Sequence, residues 1–153
     1  MKTKIYGRTV LQPKHSPRTL RLTKRVTFSA MHELRSPALT EPQNRAIFGK
    51  CYNLHGHDYR LEVTVEGQLD EKTGLICDRD FFDAKLDKYV VKKYNGKNLN
   101  DFFSNTTGEI LVSEFLCILE KLLKPLNVVG IKLEETPKNT FSAGTTAYLL
   151  GVF

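Results

Sequence analysis

A change of hydrophobic period constrains this chain most. In residues 20–30, Leu20, Leu22, Val26, Phe28 and Ala30 share one parity, and Arg21, Thr23, Arg25, Thr27 and Ser29 share the other. At 57–66 the alternation returns, with Tyr59, Leu61, Val63 and Val65 against Asp58, Arg60, Glu62, Thr64 and Glu66. Period two sends successive side chains to opposite faces, so both stretches read as half-buried strands. "DEKTG" at 70–74 is a turn. Then the period lengthens. Phe82, Leu86, Tyr89 and Val90 fall at helical spacing and predict an amphipathic helix over about 80–93, broken by "NGKN" at 95–98. A second helix is expected from Thr106 or Thr107. Glu109 completes a capping-box pattern from Thr106, and Leu111, Phe115, Ile118, Leu119 and Leu122 form the apolar stripe. Further strands are expected at about 128–136 and 144–152, and residues 36–48, with two prolines, read as a loop. Strand, strand, helix, helix, strand, strand is an α+β order, with helices on one face of an antiparallel sheet.

The 153 residues suffice for one domain with a real core, and 41% hydrophobic and 26% charged residues are ordinary for a globular chain. No apolar run is long enough for a membrane helix, and the polar, basic N-terminus has no signal-peptide core. Residues 1–17 read as a basic tail and 18–153 as the folded domain. Three cysteines without a secretory signal point to free thiols in a reducing cytoplasm. Residues 1–25 carry eight of the 23 Lys and Arg and no acid. That segment is either a solvated arm or a match for a phosphate-rich partner, nucleic acid or an anionic substrate. No aromatic interleaving or nucleic-acid motif accompanies it, which argues against nucleic acid.

The parity argument extends to the histidines. His55 and His57 share the parity of Tyr59, and His32 that of Phe28 and Ala30. If the two strands pair antiparallel, three imidazoles leave the apolar faces at one end of the sheet. Three nitrogens around one ion leave a fourth position open, as in a catalytic zinc site. The alternative is histidines satisfied at a strand end. Cys51 sits in the loop before them, beside Lys50; nearby positive charge favours thiolate and proton-transfer chemistry, whereas a buried inert thiol is the bland alternative. Cys117 falls inside the second helix and is expected to pack there. Glu135 shares the apolar parity of Ile131 and Leu133, and a carboxylate there is costly unless paired. It pairs with a cation, twists into solvent, or awaits a ligand with two parallel N–H groups, such as the guanidine-like edge of a pterin or guanine.

Together "FSAMHEL" (28–34), "FGKCYNLHGHDY" (48–59), "VTVEGQLDEKTGLICD" (63–78), "TTGE" (106–109) and "KLEET" (132–136) resemble the 6-pyruvoyl-tetrahydropterin synthase family, which includes 6-carboxytetrahydropterin synthase of the queuosine and 7-deazaguanine pathway. The resemblance implies the T-fold, a four-stranded antiparallel sheet with two helices on one face. It also implies a homohexamer whose sheets close into barrels, with active sites between subunits. It implies Zn2+ on His32, His55 and His57, a catalytic thiol at Cys51 and a pterin anchor at Glu135, with Thr106, Thr107 and Glu109 near the same ring. The implied substrate is 7,8-dihydroneopterin triphosphate. Carboxy-forming members resemble Cys-x3-His-Gly-His and pyruvoyl-forming members Cys-x5-His-Gly-His; Cys51 and His55 here enclose three residues.

One stretch departs from the family. An Asp-His pair normally follows the first helix and assists the cysteine, but Asn95 and Gly96 stand there. The one remaining histidine is His15, in the tail. The relay is then supplied by a water at the metal, Asp101 or a neighbouring subunit, or the chemistry is slowed; general acid–base help is worth roughly 100- to 10,000-fold. The readings carried forward are a carboxytetrahydropterin-type lyase, a pyruvoyl-type synthase or dihydroneopterin aldolase, and a zinc- and pterin-binding homologue impaired in turnover.

Overall fold

A computed structural model describes residues 2–6, 8–11 and 19–152. Lys2–Ile5 (β1) and Arg8–Leu11 (β2) pair antiparallel as a hairpin within the segment read as a tail. The main sheet is carried by two fourteen-residue strands, Thr19–His32 (β3) and His55–Gln68 (β4), in continuous antiparallel register from Thr19 opposite Gln68 to His32 opposite His55. Between them lies a correction. Residues 36–48 are not all loop, because Glu41–Phe48 form a helix (α1). Pro42 falls in its first turn, where a missing N–H costs nothing, and the Thr40 N–H donates to Gln43 Oε1 at 2.9 Å. Gly49–Tyr52 then make a 3-10 turn.

The first long helix begins at Arg79–Leu86 (α2). Asp78 caps it by accepting from the Phe81 N–H, and it runs through a wide π-turn at Asp87–Val91 into Lys92–Tyr94 (α3). Lys97–Asn98 (β5) pairs parallel with Ala30–Met31 at the edge of the sheet. The second helix, Gly108–Leu122 (α4), is followed by Asn127–Thr136 (β6). Asn139–Gly144 (β7) and a short helix at Thr146–Leu149 (α5) replace the strand expected at 144–152. Thr145 Oγ1 accepts from the Tyr148 N–H and starts that helix, so the apolar residues after Gly144 wind up rather than extend. The sheet order is β5-β3-β4-β6-β7, five strands rather than four, open within one chain.

Both long helices cover one face. Phe82, Leu86, Val90 and Tyr94 from one, and Leu111, Val112, Phe115 and Leu119 from the other, bury against Phe28, Tyr59, Leu61, Val63, Ile131 and Leu133. Phe28 and Tyr59, cross-strand partners, stack with ring centroids 5.3 Å apart, and Phe115 meets Phe28 edge-on at 6.0 Å. Burying each such side chain stabilises by roughly 1.5–3 kcal/mol. Gly108 is required where α4 meets β7, since a Cβ there would lie 2.0 Å from the Phe141 ring. Cys117 does not pack in the core; it is exposed on the outer side of α4.

Candidate active site

The sheet's covered face runs on past the helices to its end. Along β3, Phe28, Ala30 and His32 are buried in sequence, His32 to 1% exposure. Because β4 pairs with β3 without a bulge here, His55 lies opposite His32 and His57 opposite Ala30. The three imidazole centroids stand 4.6–5.1 Å apart, and one ring nitrogen from each lies within 4.8 Å of the others.

Two rings are oriented by backbone carbonyls. His32 Nδ1 lies 3.0 Å from the Thr106 carbonyl and His55 Nδ1 2.7 Å from that of Asn53. A carbonyl only accepts, so both Nδ1 atoms carry the proton and both Nε2 atoms keep the lone pair with which an imidazole binds a metal. Burial pushes the His32 pKa down to about 4, against the pull of the Thr106 carbonyl, and the two neighbouring imidazoles lower it further. Burial also lowers His57, opposed by the Glu135 carboxylate. Neutral imidazoles are the metal-binding form, so these residues fit one divalent cation.

A cavity of about 290 Å³ opens over the cluster. Its lining includes all three histidines, Cys51, Lys50 and Glu135, with Leu34, Thr136 and Asn139. Cys51 sits in the 3-10 turn, whose position is held by the Leu34 N–H donating to the Cys51 carbonyl at 2.8 Å. Glu135 lies at a bulge where the register of β6 and β7 slips between Glu134 and Thr136, and its Oε1 is 3.7 Å from His32 Nε2. Bulges re-aim side chains, and this one accompanies a carboxylate at the cavity rather than in solvent.

Thr106, Thr107 and Glu109 are placed differently. Thr106 is fully buried, but its hydroxyl donates to the Glu33 carbonyl at 2.9 Å and its own carbonyl orients His32, so it forms no capping box with Glu109. Thr107 is the residue before α4, and Glu109 is exposed in its first turn. None of the three lines the cavity within one chain. Asn95 and Gly96 serve the sheet: Asn95 Oδ1 accepts from the Ser29 N–H at 2.9 Å, and the Gly96 N–H donates to the Ser29 carbonyl at 2.7 Å. Asp101 is exposed and outside the cavity lining, and His15 lies outside the described residues. Periodicity left two contributors unread. Asn100 exchanges two 2.9 Å hydrogen bonds with the Glu33 backbone, and the buried Tyr59 hydroxyl lies 3.3 Å from both ring nitrogens of His32. Asn100 acts on a backbone and leaves no trace in the hydrophobic pattern; Tyr59 reads simply as core.

A thiol, a histidine triad able to hold a metal and a half-buried carboxylate share one cavity at the end of a helix-covered sheet of the T-fold class. Residues 21–145 match the family model described as 6-pyruvoyl tetrahydropterin synthase. The chain is 36% identical over 140 residues to a 6-pyruvoyl tetrahydrobiopterin synthase of Drosophila melanogaster, covering 86% of this chain and 83% of that one. A 6-carboxy-5,6,7,8-tetrahydropterin synthase of Rickettsia typhi is 26% identical over 59% of this chain and 64% of its own length. Among solved structures, the Caenorhabditis elegans 6-pyruvoyl tetrahydropterin synthase superposes with a TM-score of 0.77 at 28% identity, covering 85% of this chain and 98% of that one. The chain belongs to the 6-pyruvoyl tetrahydropterin synthase family, whose members are pterin synthases of the lyase class.

Proposed function

We propose that this protein is a zinc-dependent lyase that converts 7,8-dihydroneopterin triphosphate to 6-carboxy-5,6,7,8-tetrahydropterin, as in the queuosine and 7-deazaguanine pathway. The observation that carries the reading is the single cavity shared by His32, His55, His57, Cys51 and Glu135. Zinc suits an all-imidazole set with one open position; when bound, it supplies Lewis-acid polarisation of the substrate's side-chain oxygens. Glu135 accepts the paired N–H groups of the pterin edge and fixes the ring. Cys51 takes and returns a proton at the side-chain carbon, and Lys50, which lines the same cavity, offers a cation to the triphosphate. The three-residue gap between Cys51 and His55 favours the carboxy-forming reaction, in which triphosphate and acetaldehyde leave.

A second reading, formation of 6-pyruvoyl-tetrahydropterin, is favoured by the names of the more similar relatives. The reaction is assigned to a homohexamer in the cytoplasm. Two observations support an assembly and a reducing compartment. Much of β3 has no strand on its outer side among the described residues, and the three cysteines are free. Among the described residues no helix is long and apolar enough to cross a membrane.

Incubating the zinc-loaded protein with 7,8-dihydroneopterin triphosphate separates the readings. Acetaldehyde with carboxytetrahydropterin establishes the first, and pyruvoyltetrahydropterin the second. Hydroxymethyldihydropterin, with the triphosphate retained on the two-carbon aldehyde fragment, makes it an aldolase. Binding without any product leaves a pterin-binding homologue and ends all the enzyme readings.

A further inference from the structure

The residue after the candidate thiol is held by two arginines from different elements. Tyr52 is 7% exposed, although it ends a four-residue surface turn. The Arg45 guanidinium, from α1, lies 4.6 Å from its ring centroid, and that of Arg35, from the loop after β3, lies 5.1 Å away. Arg35 Nη2 also donates to the Tyr52 hydroxyl at 3.1 Å. Each arginine is itself held: Arg45 Nη2 by Glu41 at 2.7 Å, one helical turn earlier, and Arg35 Nη2 by Glu33 at 3.2 Å. Arg45 keeps the Glu41 carboxyl below its ordinary value. Buried Asn44 closes the same unit, since its amide donates to the carbonyls of Ser36, Leu39 and Thr40 and its Oδ1 accepts from the Ser36 N–H at 2.8 Å.

None of these groups lines the cavity, yet Arg35 and Arg45 both bear on Tyr52, in the turn that carries Cys51. Two guanidinium groups over one aromatic face, with a hydrogen bond to its hydroxyl, hold the ring of Tyr52 in place. Fixing Tyr52 also fixes the preceding peptide, whose carbonyl is tied to the Leu34 N–H. We infer that Tyr52, clamped by Arg35 and Arg45, is a positioning residue that sets where the Cys51 thiol stands relative to the histidine triad. It couples α1 to the turn and has no contact with the metal ligands. The inference rests on Cys51 being the reactive thiol, as in the proposed lyase.

The test uses the full-length protein and two readouts. In Tyr52→Ala the expected result is a kcat lower by roughly 10- to 100-fold, because displacing a reacting group by about 1 Å costs that much. KM is expected to change little, and metal content to match the parent protein. Tyr52→Phe keeps the ring and should retain kcat within a few-fold. Independently of turnover, iodoacetamide alkylation is followed by peptide mapping, with exposed Cys117 as internal reference. Cys51 should react several-fold faster relative to Cys117 in Tyr52→Ala and in Arg45→Met, and at the parent rate in Tyr52→Phe. Equal Cys51 reactivity in all four proteins overturns the inference, as does loss of metal together with activity in Tyr52→Ala. If the parent protein makes no product, the lyase reading fails, while the alkylation rates still decide the positioning role.

Discussion

In the proposed lyase, His55 and Cys51 divide metal binding from turnover at the level of single side chains. His55 Nδ1 is committed to the Asn53 carbonyl, leaving one nitrogen for the ion. His55→Ala leaves two imidazoles, too few to keep zinc against a chelator, so metal analysis of the dialysed variant should find well under one ion per chain. Full occupancy would remove His55 from the ligand set. Cys51 shares the cavity but supports none of the rings. Cys51→Ala should therefore keep metal and pterin affinity and lose at least about 100-fold in turnover, the usual scale of a lost proton-transfer group. Turnover within a few-fold of the parent would make Cys51 a packing residue. At this scale the sequence was informative because strand parity alone brought His32, His55 and His57 to one face and end, and the register bears that out. It read Thr106 as a capping residue near the pterin ring and did not foresee that its carbonyl orients a ring and its hydroxyl is spent on Glu33, because neither contact depends on the side chain's place in a hydrophobic period.

Secondary elements were legible where burial imposes a period and obscure where local hydrogen bonding decides. Strands β3, β4 and β6 and helices α2 and α4 each bury a face, so their apolar residues recur at two or at three to four. Helix α1 buries only Asn44 and carries no such stripe; its signal was Thr40 followed by Gln43, masked by Pro42. The last strand ended early because Thr136 Oγ1 accepts from the Asn139 N–H at 3.1 Å, a tight turn that starts β7 at once, and Thr145 then begins α5. The approach of α4 to β7 gives a prediction at the same scale. Gly108→Ala puts a methyl against the Phe141 ring, which must shift along with the N-terminal turn of α4. Overpacking of this kind costs about 1–3 kcal/mol, expected as a lower urea midpoint at unchanged slope. A midpoint equal to the parent's would mean the ring moves aside freely.

For the whole molecule, the histidine triad couples folding to pH. A histidine ordinarily titrates near 6.5, and burial holds His32 near 4 in the fold. Between those values the unfolded chain takes up a proton that folded His32 refuses. The contribution is therefore complete above pH 6.5, declines as pH falls, and is lost by about pH 4. A displacement of this size corresponds to about 3 kcal/mol at 1.36 kcal/mol per unit. His57 is lowered in the same direction by burial, so its loss adds to the slope. Carboxylates such as Asp70, held below its ordinary value by Thr73, add losses of their own as the pH falls to the acid edge of this window and beyond. Comparison with His32→Gln removes them: urea midpoints of the metal-free proteins at pH 7, 6, 5 and 4 should fall more steeply for the parent than for the variant. Zinc binds only the neutral imidazoles, so the stabilisation it adds to the parent should shrink over the same range. Parallel curves for parent and variant would show that His32 charges as readily inside the fold as outside it, and a buried, proton-refusing His32 would then have to be abandoned as part of the site.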